Sequence, residues 1–221
     1  MDNSIFKYQS ISRQGLGEYK EKGSKFIGYA IRAQSEEEVA SFIDFLKKEH
    51  LKARHHCYAY ILDRNESLFR ANDDGEPSGT AGKPILGQIK SAQLKEVLVV
   101  VVRYFGGTKL GASGLITAYK AAAEDAIRNA EIIQVSLQNT YLLEIDYPEM
   151  GRVLDVLKSM DITIKSKNFN EKAEIEISLD CEGSREVIQS FVAKVLNVSI
   201  ETVDEESKIP YCSIKEVVIY D

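Results

Sequence analysis

Val97-Leu98-Val99-Val100-Val101-Val102 runs into Arg103-Tyr104-Phe105-Gly106-Gly107-Thr108-Lys109-Leu110-Gly111-Ala112-Ser113-Gly114, and from there into an alanine-rich segment, Leu115 to Ala130. The six apolar residues are too few to span a membrane and show no polar alternation. They read as a central strand buried on both faces. In the last segment Leu115, Tyr119, Ala122 and Ala126 recur at spacings of three and four, as do Ile116, Ala123, Ile127 and Ala130. That spacing defines a helix with a broad buried face, for which Ser113 is the expected N-cap. The unit is strand, glycine loop, helix, and its glycines let backbone N–H groups come close to a ligand or to another segment.

The chain around this unit has 221 residues, 44% hydrophobic and 28% charged, an ordinary globular mix. No apolar run reaches transmembrane length, and the first residues lack a charged-then-apolar signal pattern. Three cysteines without a CxxC give neither a zinc ribbon nor a disulfide framework, so a cytoplasmic protein with reduced thiols is expected. Charge is uneven. Through Val135 there are 19 basic against 17 acidic residues, and beyond it 9 against 17. The change in surface suggests two domains, 1–135 and 136–221, with any polyanion meeting the first.

In chain order, residues 1–14 read as a ragged lead-in. Strands on either side of Lys22-Gly23-Ser24 form a hairpin signal. Ser35-Glu36-Glu37-Glu38 is a capping box launching a helix with Val39, Phe42, Ile43 and Leu46 on one face, ending near His50. A strand over Cys57–Leu62 turns at Asn65-Glu66 into a second over Ser67–Arg70. The stretch Asn72 to Pro84, dense in acids and turn formers, reads as a structured loop entering a helix. Ser78 or Thr80 is its expected cap, and Pro84 lies in its first turn. Beyond Leu137 the pattern is strand (Thr140–Tyr147), helix, a hairpin over Ile162–Phe169 and Ala173–Leu179, helix, and a short strand over Val198–Val203. This βαββαβ order predicts a ferredoxin-like fold. One more strand-like run, Ile209–Tyr220, has no partner assigned. The fold class is α+β.

Three groups invite chemistry. His55-His56-Cys57 offers two ligands on one strand face, which do not complete a zinc site, so a structural role is favoured and no metal is assigned. Asp73, Asp74 and Glu76 are suited to holding a hard cation or acting as acid and base. Carboxylates in such loops more often bind backbone N–H groups or pair with a cation such as Arg103 or Lys83. The Gly106–Gly114 loop, with Arg103 before it and Lys109 within it, is suited to cradling phosphate at a helix start, yet matches neither GxxxxGK[ST] nor GxGxxG. No catalytic set and no cofactor are assigned.

Three segments together resemble the YigZ/IMPACT family: Ala53 to Tyr60, Asp73 to Pro84, and Arg103 to Gly111. The resemblance covers roughly residues 15–130, and the second domain is similar to the small C-terminal module of bacterial members. Ser113 and Thr117 stand where the family commonly has glycine and often arginine, which removes a basic residue from that helix start. The resemblance implies an N-terminal α/β sandwich similar to a domain shared by a ribosomal protein, elongation factor G and small-molecule kinases, and a ferredoxin-like C-terminal domain like that of elongation factor G. It also implies translation regulation, which eukaryotic members exert through a partner protein.

The leading expectation is a translation-associated regulator that binds RNA, the ribosome or a ribosome-associated protein partner. Its expected binding residues are His55, Asp73, Asp74, Glu76, Thr80, Lys83, Arg103, Tyr104, Gly106, Gly107, Lys109 and Ser113. Arg103 and Lys109 are expected on phosphates, with Tyr104 stacking or packing. The alternative is an enzyme acting on a phosphorylated small molecule or nucleotide through the glycine loop, with Asp73, Asp74 or Glu76 holding Mg²⁺. A structural expectation accompanies both. The two helices after the two loops share an edge of the sheet, and a carboxylate among Asp73, Asp74 and Glu76 bonds the glycine loop or pairs with Arg103, leaving Lys109 and Tyr104 outward.

Overall fold

The computed structural model describes residues 6–204 and 207–217. The chain divides into two compact units, Met1–Val135 and Ser136–Asp221. The first contains β1 (Lys7–Arg13), β2 (Gly15–Glu21), β3 (Ser24–Arg32), α1 (Glu36–Glu49), β4 (His55–Ile61), β5 (Phe69–Asn72), α2 (Gly82–Ser91), β6 (Val97–Tyr104), α3 (Gly111–Arg128) and β7 (Glu131–Ser136). A five-stranded sheet in the order β2-β3-β6-β4-β5 has every neighbouring pair antiparallel. The valine run lies in the middle strand with Val97 to Val102 wholly buried. One strand parity, Val97, Val99 and Val101, meets Ile85 and Ile89 of α2 and Leu115, Tyr119, Ala122 and Ala126 of α3. The other, Leu98, Val100 and Val102, meets Val39, Ile43 and Leu46 of α1. Two helices on one face and one on the other make the α/β sandwich.

Helix α3 lies close on the sheet because small residues line the contact. A Cβ built on Gly28 of β3 would stand 2.3 Å from the Ala122 carbonyl oxygen. Just before β3, Lys22 (φ 46°) and Gly23 (φ 77°) adopt the left-handed conformation that a tight hairpin turn requires. Ser35 caps α1 as expected, accepting from the Glu38 N–H, while the Glu38 carboxylate reaches back to the Gln34 N–H.

Several boundaries differ from the sequence reading. Of the lead-in, residues 1–5 lie outside the described residues, and Lys7–Arg13 is a strand paired with β7, with Ile11 in the core. The hairpin partner of β4 begins at Phe69 rather than Ser67, because Asp63 binds the Ser67 and Leu68 N–H groups and holds them in the turn. Phe42 is only half-buried beside α1's core face. Helix α3 begins at Gly111 with Leu110 at its N-cap, so Ser113 sits inside the first turn and is not the cap.

The second unit holds β8 (Gln138–Ile145), α4 (Met150–Ser159), β9 (Thr163–Phe169), β10 (Ala173–Asp180), α5 (Ser184–Leu196) and β11 (Cys212–Val217). Its sheet runs β11-β8-β10-β9, all antiparallel, around a core of Leu143, Ile145, Val153, Leu157, Ile175, Ile177 and Phe191. That is the ferredoxin-like order, with one exchange of roles. Val198–Val203 is not the last strand: Asn197 ends α5 in the left-handed conformation (φ 58°) and Ile200–Thr202 forms a 3-10 turn. The tail supplies the strand instead, pairing Cys212 with Ile145 and Val217 with Thr140. The remainder of that run, 218–220, lies outside the described residues.

Candidate functional site

Adjacent strands bring the two chemical loops together. β4 starts with His55 opposite Arg103 of β6, and β5 ends at Asn72 opposite Tyr58. The acidic loop therefore sits at the end of the sheet where β6 enters the glycine loop. Within it Asp73 is the organiser. Its carboxylate accepts N–H bonds from Gly79 (2.8 Å), Ala81 (3.0 Å) and Gly82 (2.8 Å), capping α2 from a distance in place of the expected Ser78 or Thr80. Thr80 is buried, and its hydroxyl donates to the Pro77 carbonyl. Burial raises the Asp73 carboxyl, but the three N–H donors, with Lys83 nearby, outweigh it and hold its pKa below the ordinary value. Asp74, in the left-handed conformation at φ 40°, accepts the His56 N–H on its carboxylate and the His55 Nδ1–H on its carbonyl.

Glu76 crosses to the other loop. Its Oε1 accepts from Arg103 Nη1 at 2.5 Å and from the Tyr119 hydroxyl at 2.8 Å, with the Glu76 and Arg103 side chains only 4% and 7% exposed. Cys57 Sγ lies 3.2 Å from the Tyr119 hydroxyl and 3.0 Å from the Asp73 carbonyl, so a buried polar chain links both loops to α3. The Arg103 guanidinium lies over Phe26 and Phe105, its carbon 5.4 and 5.5 Å from the ring centres. Burial pushes the Tyr119 hydroxyl and the Cys57 thiol far above their ordinary pKa values. Cys57 is therefore held as an inert thiol.

The pairing of Glu76 with Arg103 is the one expected between the loops, but it changes the roles of its members. Arg103 is buried and paired inward, so it does not present its charge to a phosphate. Tyr104, one residue on, points to the opposite sheet face because strand side chains alternate. There its hydroxyl lies 2.8 Å from His50 Nδ1, and Tyr29 binds Nε2 at 2.6 Å, so Tyr104 is half-buried rather than outward. Arg103 and Tyr104 cannot touch the same ligand group. Ser113 contributes its carbonyl to the Thr117 hydroxyl within α3. Gly106 donates its N–H to Ser24 Oγ and lies against the hairpin turn, where a Cβ would come 1.9 Å from the Gly23 carbonyl carbon. Gly106, Gly107 and Lys109 are exposed, as is Lys83 on α2. Sequence reasoning placed Tyr119 on the buried face of its helix and weighed Cys57 only as a metal ligand, and it linked neither to the loops. The available signal was that a tyrosine on a helix's buried face brings a hydroxyl needing a partner.

The structure is thus a two-domain α+β protein, an antiparallel α/β sandwich with joined loops followed by a ferredoxin-like unit. Residues 22–127 match the family described as the Impact N-terminal domain, and residues 143–193 match a domain of unknown function (DUF1949). The IMPACT family member YvyE of Bacillus subtilis is 36% identical over 172 residues, 78% of this chain and 79% of that protein. The IMPACT family member YigZ of Escherichia coli is 32% identical over 161 residues, 72% of this chain and 78% of that protein. A crystal structure described as that of "an hypothetical protein" superposes with a TM-score of 0.65 at 27% identity, covering 92% of this chain and all of the other. The chain belongs to the IMPACT family. Among the described residues no helix is long and apolar enough to cross a membrane.

Proposed function

We propose that this chain is a translation-associated regulator that acts by binding RNA, on the ribosome or free, and not by catalysis. Translation regulation is the role the IMPACT resemblance implies. The observation that carries binding over chemistry is the state of the reactive groups. Asp73 is engaged by three backbone N–H groups, Glu76 by Arg103 and Tyr119, and Asp74 by the His56 N–H. A phosphoryl-transfer site needs carboxylates free to hold the metal beside the phosphates. Here the acids brace the loops, and what lies outward besides the part-exposed Asp74 is the exposed Gly106–Lys109 segment and Lys83, with the glycine loop leading into α3, whose N-cap makes no side-chain bond. Such a surface contacts a backbone more readily than it reads bases.

The test is sedimentation with ribosomes and binding to labelled RNA at 50 and 200 mM salt. Binding at low salt that weakens at high salt, and weakens further in Lys109→Ala, is expected. No binding to either at low salt would refute the reading.

A further inference from the structure

The sheet order has a consequence that the motif residues do not reveal. β3, β6 and β4 are neighbours, so the connections at their shared end lie side by side: the Lys22-Gly23 turn, the Phe105–Lys109 loop and the Leu51–Arg54 turn. Three contacts fix this placement. Gly106 packs on Gly23, Lys25 pairs with Tyr104 in register, and His50 at the end of α1 bonds Tyr104. Lys22, Lys52, Arg54 and Lys109 are all exposed on these turns. Among the described residues none of the four is paired with a carboxylate, whereas Lys20 and Lys25 beside them are both held by Glu18. Two acids flank the rim: Glu49 at the end of α1, which Lys47 and Lys48 in the same turn outnumber, and the part-exposed Asp74, whose carboxylate accepts the His56 N–H. Phe105 stands in the middle of this rim with 56% of its surface exposed, while Arg103 beneath it lies against its ring.

We propose that this basic rim is the binding track for a single-stranded RNA segment, with Lys22, Lys52, Arg54 and Lys109 on its phosphates and one base stacked on Phe105. The proposal rests on the RNA-binding reading above and names its footprint. Adjacent strands are about 4.8 Å apart, so three turns span roughly 10 Å. A flat, exposed ring bordered by lysines suits a base already free of a partner, which is how single strands are bound without sequence preference. A duplex, its bases stacked within, gives Phe105 nothing to stack on.

The experiment uses the full chain and a fluorescein-labelled oligouridylate of about 12 nucleotides, with anisotropy read between 50 and 200 mM salt. Each phosphate contact to a single strand contributes about 0.7 to the slope of log K against log salt. Lys52→Ala/Arg54→Ala/Lys109→Ala should therefore flatten the slope by about 2. The wild-type chain should lose about 20-fold through those three contacts alone across the fourfold salt range. Phe105→Ala should weaken the oligouridylate about tenfold and leave duplex RNA unaffected. Lys165→Ala/Lys167→Ala, in the second unit, should change nothing. All the rim residues are exposed, and an unchanged melting temperature would confirm that the variants fold. If wild type binds RNA and the triple variant keeps both affinity and slope, the rim is overturned while RNA binding stands. If the variants lose ribosome sedimentation but not oligouridylate, the rim serves a protein partner and the RNA track is overturned. If wild type binds ribosomes but not oligouridylate at low salt, the rim is overturned; if it binds neither, both proposals fall.

Discussion

Replacing Glu76 by Gln tests whether the buried pair is what joins the two loops. Glutamine keeps the shape and one acceptor for Tyr119, but leaves the Arg103 guanidinium without its counter-charge. The two side chains are 4% and 7% exposed, so solvent screening offers little relief. Arg103 Nε has no hydrogen-bond partner among the described residues, so the loss falls on a group already short of acceptors. Breaking a buried pair on one side costs about 3–5 kcal/mol. For a unit the size of Met1–Val135, each kcal/mol moves the melting temperature by roughly 3–5 °C, so a fall of roughly 10–20 °C is expected. The partner change, Glu76→Gln with Arg103→Met, removes both charges and should recover most of that loss, because an apolar replacement of a buried pair is often neutral. The measurement is a double-mutant cycle in urea, followed by calorimetry. Single-variant losses that simply add in the double variant, within about 0.5 kcal/mol, would show that Glu76 and Arg103 act independently and refute the account of the site.

Gly28→Ala should destabilise the first unit by about 1–3 kcal/mol, because its methyl meets the α3 backbone at Ala122. Gly87→Ala, on an open face of α2, should instead be neutral or stabilising by up to about 1 kcal/mol; equal effects in urea titrations would contradict the packing. Burial lowers the pKa of both His50 and His56 below the ordinary 6.5, so the unfolded chain binds more protons in the window beneath that value. Their contribution is complete above about pH 6.5 and is lost as pH falls through the lowered values, at up to roughly 1.4 kcal/mol per pH unit each. Melting curves from pH 7.5 to 4.5 should show the decline, and His50→Gln/His56→Gln should flatten it. A thermal-shift screen of nucleotides with Mg²⁺ should give no response. A stabilisation near 2.7 kcal/mol at a hundred times Kd, with any nucleotide, would revive the phosphoryl-transfer reading.

How much was legible in the sequence depended on whether the deciding partner was local. The valine run needed none: six apolar residues without alternation have no exposed face to offer, and they occupy the middle of the sheet. The hairpin at Lys22-Gly23 and the cap at Ser35 are likewise settled within a few residues. β1 is not. Its partner β7 lies more than a hundred residues away, and Tyr8, Ser10 and Ile11 give no sustained alternation. The last strand failed for the same reason. Val198–Val203 and Cys212–Val217 are both strand-like, and the choice rests with the free edge of β8, which the tail fills in register from Cys212–Ile145 to Val217–Thr140.

The site shows the same division in a sharper form. Asp73, Glu76 and Arg103 look the most chemical in the sequence because acids and an arginine beside glycines resemble a ligand cradle. A buried arginine and an exposed one read identically there. Strand parity separates them: if Val97, Val99 and Val101 face the two-helix side, Arg103 does too, and Tyr104 faces α1. The side chains with the strongest chemical signature thus satisfy one another and hold two loops at one end of the sheet. Lys22, Lys52, Arg54 and Lys109, widely separated in sequence and each ordinary surface on its own, become neighbours only through the adjacency of β3, β6 and β4. In this fold the internal pairing fixes the platform, and any recognition of a polyanion has to come from the unpaired cations that the platform aligns.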